Sequence, residues 1–88
     1  MELAMLERIG LTKNESIIYQ TLLQLGTSKT GEILKKSRLN SGKIYEILEN
    51  LKVKGLLSES LINNIKHFTA APPSQILEYI KDKKEELE

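Results

Sequence analysis

Apolar positions along this chain recur at helical spacing in five segments and at strand-like spacing in two. The sharpest pattern lies over 28–55. Ile33 and Leu34 give a short helix at about 29–36 an apolar edge, and Ser37-Arg38-Leu39-Asn40 then interrupts it. Ile44, Ile47, Leu48 and Leu51 return at i, i+3, i+4 and i+7, the stripe of an amphipathic helix over about 41–54. Two short helices joined by a brief turn form the sequence pattern of a helix-turn-helix.

The remaining segments frame it. Residues 2–9 carry Leu3, Met5, Leu6 and Ile9 at helical spacing, with Gly10 as a left-handed stop. Thr12 and Glu15 have capping-box spacing, in which hydroxyl and carboxylate each satisfy a free amide at a helix start. The helix they open places Ile18, Leu22 and Leu25 on one side, widened by Ile17 and Tyr19, and ends at Gly26. Thr27 or Ser28 is expected to cap the helix at 29–36, and Asn40 or Ser41 the helix after it. Gly31 is costly inside a helix, roughly 1 kcal/mol relative to Ala. It points to close approach by another helix or by a phosphate, packing being the commoner cause.

Segments 56–60 and 65–71 read as strands around Asn63-Asn64, because Asn tolerates the positive φ of a tight hairpin. Leu61 and Ile62 blur the alternation. Pro72-Pro73 ends the second strand, and a last helix runs from Ser74 toward Glu88 with Ile76, Leu77, Ile80 and Leu87 on a narrow stripe broken at Lys83 and Lys84. That helix either folds back on its own domain or pairs with a second chain. The predicted architecture is mostly α with a small β-hairpin: a winged helix-turn-helix over 1–71 with an added C-terminal helix over 72–88, suited to dimerisation.

Composition narrows the chemistry. The 88 residues suffice for one small domain, and a 40% apolar share with 28% charged suits a folded globular chain. The absence of Cys excludes disulfides and thiolate metal sites, and His67 is the lone imidazole, so neither metal nor cofactor is expected. No run approaches the ~18 apolar residues of a membrane span, and residues 1–10 lack a signal-peptide pattern; a cytoplasmic protein is expected. No nucleophile–base pair or phosphate-cradling glycine loop suggests an enzyme. The net charge of +1 conceals a basic centre: 29–67 holds eight Lys or Arg against four Glu, flanked by −1 over 1–28 and −2 over 68–88. A basic middle is what a nucleic-acid face would give, although chance surface charge would give it as well.

Set at 100° per residue, the helix from Ser41 turns Gly42, Tyr45, Glu46 and Glu49 away from its core stripe, with Ser41 and Lys43 on the flanks. Its first turns would meet base edges, so Asn40, Ser41, Gly42, Lys43, Tyr45 and Glu46 are the expected reading residues. Lys43 can reach a phosphate or a guanine, Ser41 can bond to either, and Glu46 can accept from a cytosine amine. Tyr45 could equally pack at the rim of the core. Arg38 in the turn and Lys29 with Thr30 at a helix start are placed to hold phosphates. Asn63, Asn64, Lys66 and His67 on the wing could reach a neighbouring groove. Double-stranded DNA read by a homodimer is the expected partner; a winged helix that binds protein without reading DNA is the alternative, favoured by Glu46 and Glu49 on the presumed reading face.

Leu11-Thr12 with Glu15, Ile44-Tyr45, Lys54-Gly55-Leu56, and Lys66-His67-Phe68 before Pro73 follow one another in an order that spans nearly the whole chain. That ordered set resembles the N-terminal winged-helix domain of TrmB-type transcriptional regulators. The resemblance implies a dimeric, mostly archaeal DNA-binding regulator, often concerned with sugar metabolism. Members commonly carry an Arg near the start of the recognition helix, where this chain has Ser41 and Gly42. Many also carry a C-terminal domain that binds a sugar effector. With Glu88 its last residue, the chain is expected to be a stand-alone regulator or the N-terminal part of a longer one, and no effector residue is carried over.

Overall fold

The computed structural model describes residues 3–87, apart from the side chains of Ser41 and Leu87. Expectations that involve Glu2, Glu88 or those two side chains lie outside the described residues. Five helices and one hairpin follow in the order α1 (Leu3–Arg8), α2 (Lys13–Leu25), α3 (Thr30–Ser37), a 3-10 turn (Ser41–Lys43), α4 (Ile44–Val53), β1 (Leu57–Ile62), β2 (Ile65–Ala70) and α5 (Ser74–Leu87). This is the expected winged helix-turn-helix with a helix added after the wing. No helix among the described residues is long and apolar enough to cross a membrane.

α2 is the hub, packed against α1, α3, α4 and β2. Thr12 opens it with a complete capping box: the Glu15 amide donates to Thr12 Oγ1 at 3.1 Å, and the Thr12 amide donates to Glu15 Oε1 at 2.9 Å. Glu15 does a second job. It is buried, and its Oε1 also accepts from Lys54 Nζ at 2.6 Å, joining the start of α2 to the end of α4. The core stripe of α4 points where its spacing predicts, with Ile44, Ile47, Leu48 and Leu51 all buried against Ile18, Tyr19, Leu22 and Ile33. Leu25, expected on the buried side of α2, is exposed at the helix end.

Buried Tyr19 donates its hydroxyl to the Ala71 carbonyl at 2.8 Å, where the wing ends. Desolvation pushes that phenol above its ordinary pKa. The Ala71 amide donates to the Leu56 carbonyl at 2.9 Å, so both sides of this junction are held. The hairpin is antiparallel, Leu57 opposite Ala70 through Ile62 opposite Ile65, and Asn63 and Asn64 take φ of 52° and 64°. Two successive positive φ values match the twist of a two-residue hairpin turn, which is the reason Asn occupies both positions.

Several local expectations are corrected. Neither Thr27 nor Ser28 caps α3. Ser28 is buried in a two-bond bridge to Phe68, its amide and carbonyl both used at 2.9 and 2.8 Å, while Thr27 Oγ1 meets Thr69 Oγ1 at 2.8 Å. These hydroxyl residues brace the α2–α3 connection against β2. The N-cap position falls to Lys29, which has no side-chain acceptor, and the Glu32 carboxylate alone accepts the Lys29 amide at 3.2 Å. Nor do Asn40 and Ser41 cap α4 itself. Asn40 Oδ1 accepts the Gly42 amide at 2.8 Å and starts the 3-10 turn, after which α4 begins at Ile44. A Cβ on Gly31 would meet nothing within 4 Å, so no helix packs there. On α5 the buried residues are Ile76 and Tyr79; Leu77 and Ile80, expected on the apolar stripe, are exposed.

Candidate nucleic-acid interface

Five of the residues expected to face DNA meet in one concavity. Lys29 and Thr30 come from the first turn of α3, Tyr45 from α4, and Asn64 and Lys66 from the wing, with Gly31 and Ile65 completing the lining. No carboxylate among the described residues lines it. The helix start of α3 borders this space, its Lys29 amide already bonded to the Glu32 carboxylate at 3.2 Å. Tyr45 is 66% exposed, which removes core packing as its role and leaves the ring standing at the rim.

A second shallow concavity lies on the other side of the α4 start, lined by Asn14, Leu39, Asn40, Gly42, Lys43 and Ile47. It gathers three more of the expected residues: Asn40, Gly42 and Lys43. Arg38, Glu46 and Asn63 are exposed outside both hollows. Arg38 is the C-cap of α3 in the left-handed region, φ 61° and ψ 24°, where Gly is the common choice. Its guanidinium leaves the turn between the two helices toward solvent. His67 is half-buried, and its Nδ1–H donates back to the Ile65 carbonyl at 2.9 Å, which leaves only Nε2 free for a partner. Its expected reach toward a groove is thereby shortened.

Charges between α4 and the wing are arranged by a residue that sequence reasoning missed. Glu59, half-buried on β1, lies 3.9 Å from both Lys52 and Lys66. It shares one sheet face with Leu57 and Leu61, across from Phe68 and Lys66, and turns its carboxylate toward α4. The outer face of α4 keeps Glu46 and Glu49 exposed beside Tyr45. Nothing in the local spacing signals these pairings, because one crosses from α4 to β1 and the other runs between the two strands of the hairpin, where it depends on the register. The wing tip carries a further missed set, Leu61, Ile62 and Ile65, all exposed. For these the signal was present: the broken alternation at Leu61-Ile62.

Comparison with known proteins agrees with this fold. A family model described as "Sugar-specific transcriptional regulator TrmB" matches residues 6–74. The HTH-type sugar sensing transcriptional regulator TrmBL1 of Pyrococcus furiosus is 35% identical over 77 residues, covering 88% of this chain and 22% of that protein. The chain thus spans about a fifth of the curated relative's length. Among solved structures, the archaeal chromatin protein TrmBL2, which shows a novel mode of DNA binding, superposes with a TM-score of 0.85 at 21% identity over 97% of this chain and 33% of its own. BpsR of Bordetella bronchiseptica, whose DNA binding is regulated by 6-hydroxynicotinic acid, gives a TM-score of 0.70 at 18% identity over 92% of this chain and 69% of its own. At these identities the two structures establish the shared fold.

Proposed function

The chain belongs to the TrmB family of transcriptional regulators, and from that premise we propose that it binds operator DNA as a homodimer and regulates transcription in the cytoplasm. The observation that carries the reading is the carboxylate-free hollow shared by the α3 start, Tyr45 and the wing. With α4 in the major groove, Lys29, Thr30 and Arg38 hold phosphates and Lys43 reaches a phosphate or a guanine edge. Glu46 accepts from a cytosine amine, and Asn63, Asn64 and Lys66 meet the flanking groove. Dimerisation through residues 72–88, with α1 alongside, is supported by exposed Leu77, Ile80 and Met5 and by the cleft in which Ile9, Gly10 and Ile80 lie among Arg8, Lys83 and Lys84. Sugar sensing is stated of TrmBL1, whose length this chain covers by 22%; no effector residue is assigned here.

Anisotropy titrations with the DNA upstream of its own gene and with a scrambled duplex, across a salt series, test this reading. Tighter binding to the upstream DNA is expected, with a steep salt dependence for both. Failure to bind either duplex at low salt would sink it and favour the protein-adaptor reading, which rests on Glu46 and Glu49 at the outer face of α4.

Gly31 supplies a separate check. A Cβ there meets only open space, so Gly31→Ala is expected to stabilise the fold by about 0.5 kcal/mol in urea denaturation. The same Cβ would stand in the hollow between α3 and the wing, so duplex affinity should fall by roughly threefold where the backbone approaches a phosphate. Unchanged affinity would place the phosphates elsewhere.

A further inference from the structure

We propose that the tip of the wing is an aliphatic wedge that enters the minor groove beside the α4 site and loosens the base stacking there. The proposal rests on the DNA reading above and specifies what the wing does to the duplex.

Three large side chains crowd the hairpin end in water: Leu61 is 67% exposed, Ile65 48% and Ile62 45%. In the register of the hairpin Ile62 faces Ile65, and Leu61 faces Lys66. The pleat sends Leu61 with Lys66 to one face and Ile62 with Ile65 to the other, so the tip is apolar on both sides. The turn at Asn63 and Asn64 adds two amide side chains at the very end.

Shape and charge select the occupant. A hairpin tip is convex and only two strands wide, about 5 Å between backbones, too small to bury the ~800 Å² per partner of a stable protein interface. The minor groove, about 6 Å wide, is too narrow for a whole two-stranded ribbon but can take single side chains projecting from the hairpin end. From 60 to 77 the sequence contains no Asp or Glu, and Lys66 sits at the base of the tip. The nearest carboxylate on the wing, Glu59, is turned inward toward Lys52 and Lys66. Asn64, Ile65 and Lys66 also line the hollow that holds Lys29 and Tyr45, so the tip continues the surface assigned to DNA. Leu and Ile inserted from the minor groove unstack a step and kink the duplex toward the major groove, here toward α4.

The wedge predicts a preference for easily unstacked steps. TA steps are flexible and A-tracts stiff, so two duplexes of pure A·T composition and equal length, one of alternating TA and one of A-tracts, isolate the effect. Each carries 2-aminopurine, whose fluorescence rises on unstacking. The chain should bind the TA duplex about tenfold more tightly and brighten it. The variant Leu61→Ser/Ile62→Ser, altered only at exposed positions outside the hollow, should bind both duplexes alike, without brightening and with the same salt slope. Equal affinity of the unaltered chain for both duplexes without brightening overturns the wedge alone and leaves DNA binding standing. Absence of binding to either at low salt removes the DNA reading and the wedge together. A double variant that keeps the TA preference overturns the proposal. So does one that binds neither duplex at an unchanged unfolding midpoint, or one that is monomeric in sedimentation where the unaltered chain is dimeric, which would assign the tip to strand pairing between copies.

Discussion

Glu15→Ala should remove about 3 kcal/mol of folding stability and lower the unfolding midpoint by roughly 15 °C, the largest effect expected of a single substitution on the α2 surface. Two bonds go at once. The Thr12 amide loses its acceptor, which is half the capping box, and Lys54, only a quarter exposed, loses its counterion. Because Lys54 can turn partly to water, the loss falls at the lower end of what breaking a buried pair costs. Against a total of roughly 4–13 kcal/mol for a domain of this size, that is a large fraction. Glu15→Gln keeps an oxygen for the Thr12 amide and removes only the charge, so it should retain more than half of the lost stability. Thermal and urea unfolding of the two variants decide the matter. A loss below about 1 kcal/mol for the Ala variant would mean that the α2–α4 connection is held by apolar packing alone.

The second large effect concerns DNA. Lys29→Gln, Arg38→Asn, Lys43→Gln and Lys66→Gln together should weaken duplex binding at 0.1 M salt by about three orders of magnitude for each protomer bound. The reason is counterion release: each phosphate contact contributes about 0.9 to the slope of log affinity on log salt, so four contacts flatten it by about 3.6 for each protomer bound. Asn is chosen at position 38 because it tolerates the left-handed backbone there. The four side chains are exposed, and the long Lys66–Glu59 contact adds little to stability, so the variant should fold normally. Singly, Arg38→Asn should weaken all duplexes alike, whereas Lys43→Gln should also narrow the difference between upstream and scrambled DNA. An unchanged salt slope in the quadruple variant would remove these residues from the interface.

What could be read in advance was what local chemistry controls. The Thr12–Glu15 box, the α4 stripe and the Asn63-Asn64 turn each depend on residues within a few positions of one another, and each formed as expected. Where distant segments compete for the same group, local rules failed. Ser28 has the chemistry of a cap, yet Phe68, forty residues on, takes its amide and carbonyl. Glu15 looked like a capping residue and nothing more, because its pairing with Lys54 spans 39 residues. Gly31 suggested packing, since helix propensity reports a cost without reporting its cause. Tyr79, three residues after Ile76 on the same helical face, is buried although its hydroxyl is a polar end that argues against burial. The site shows the same division. Residues were assignable to the surface from helical phase, but the meeting of five of them in one hollow depends on where the wing lies against α3 and α4, and the Ser28–Phe68 bridge that ties β2 there spans forty residues.

That junction at Ala71 has a mechanical consequence. Tyr19 holds its carbonyl, Leu56 holds its amide, and two prolines with fixed φ follow before α5 begins. The end of the wing is thereby anchored to α2, and the freedom left between it and α5 lies in the ψ angles of Pro72 and Pro73.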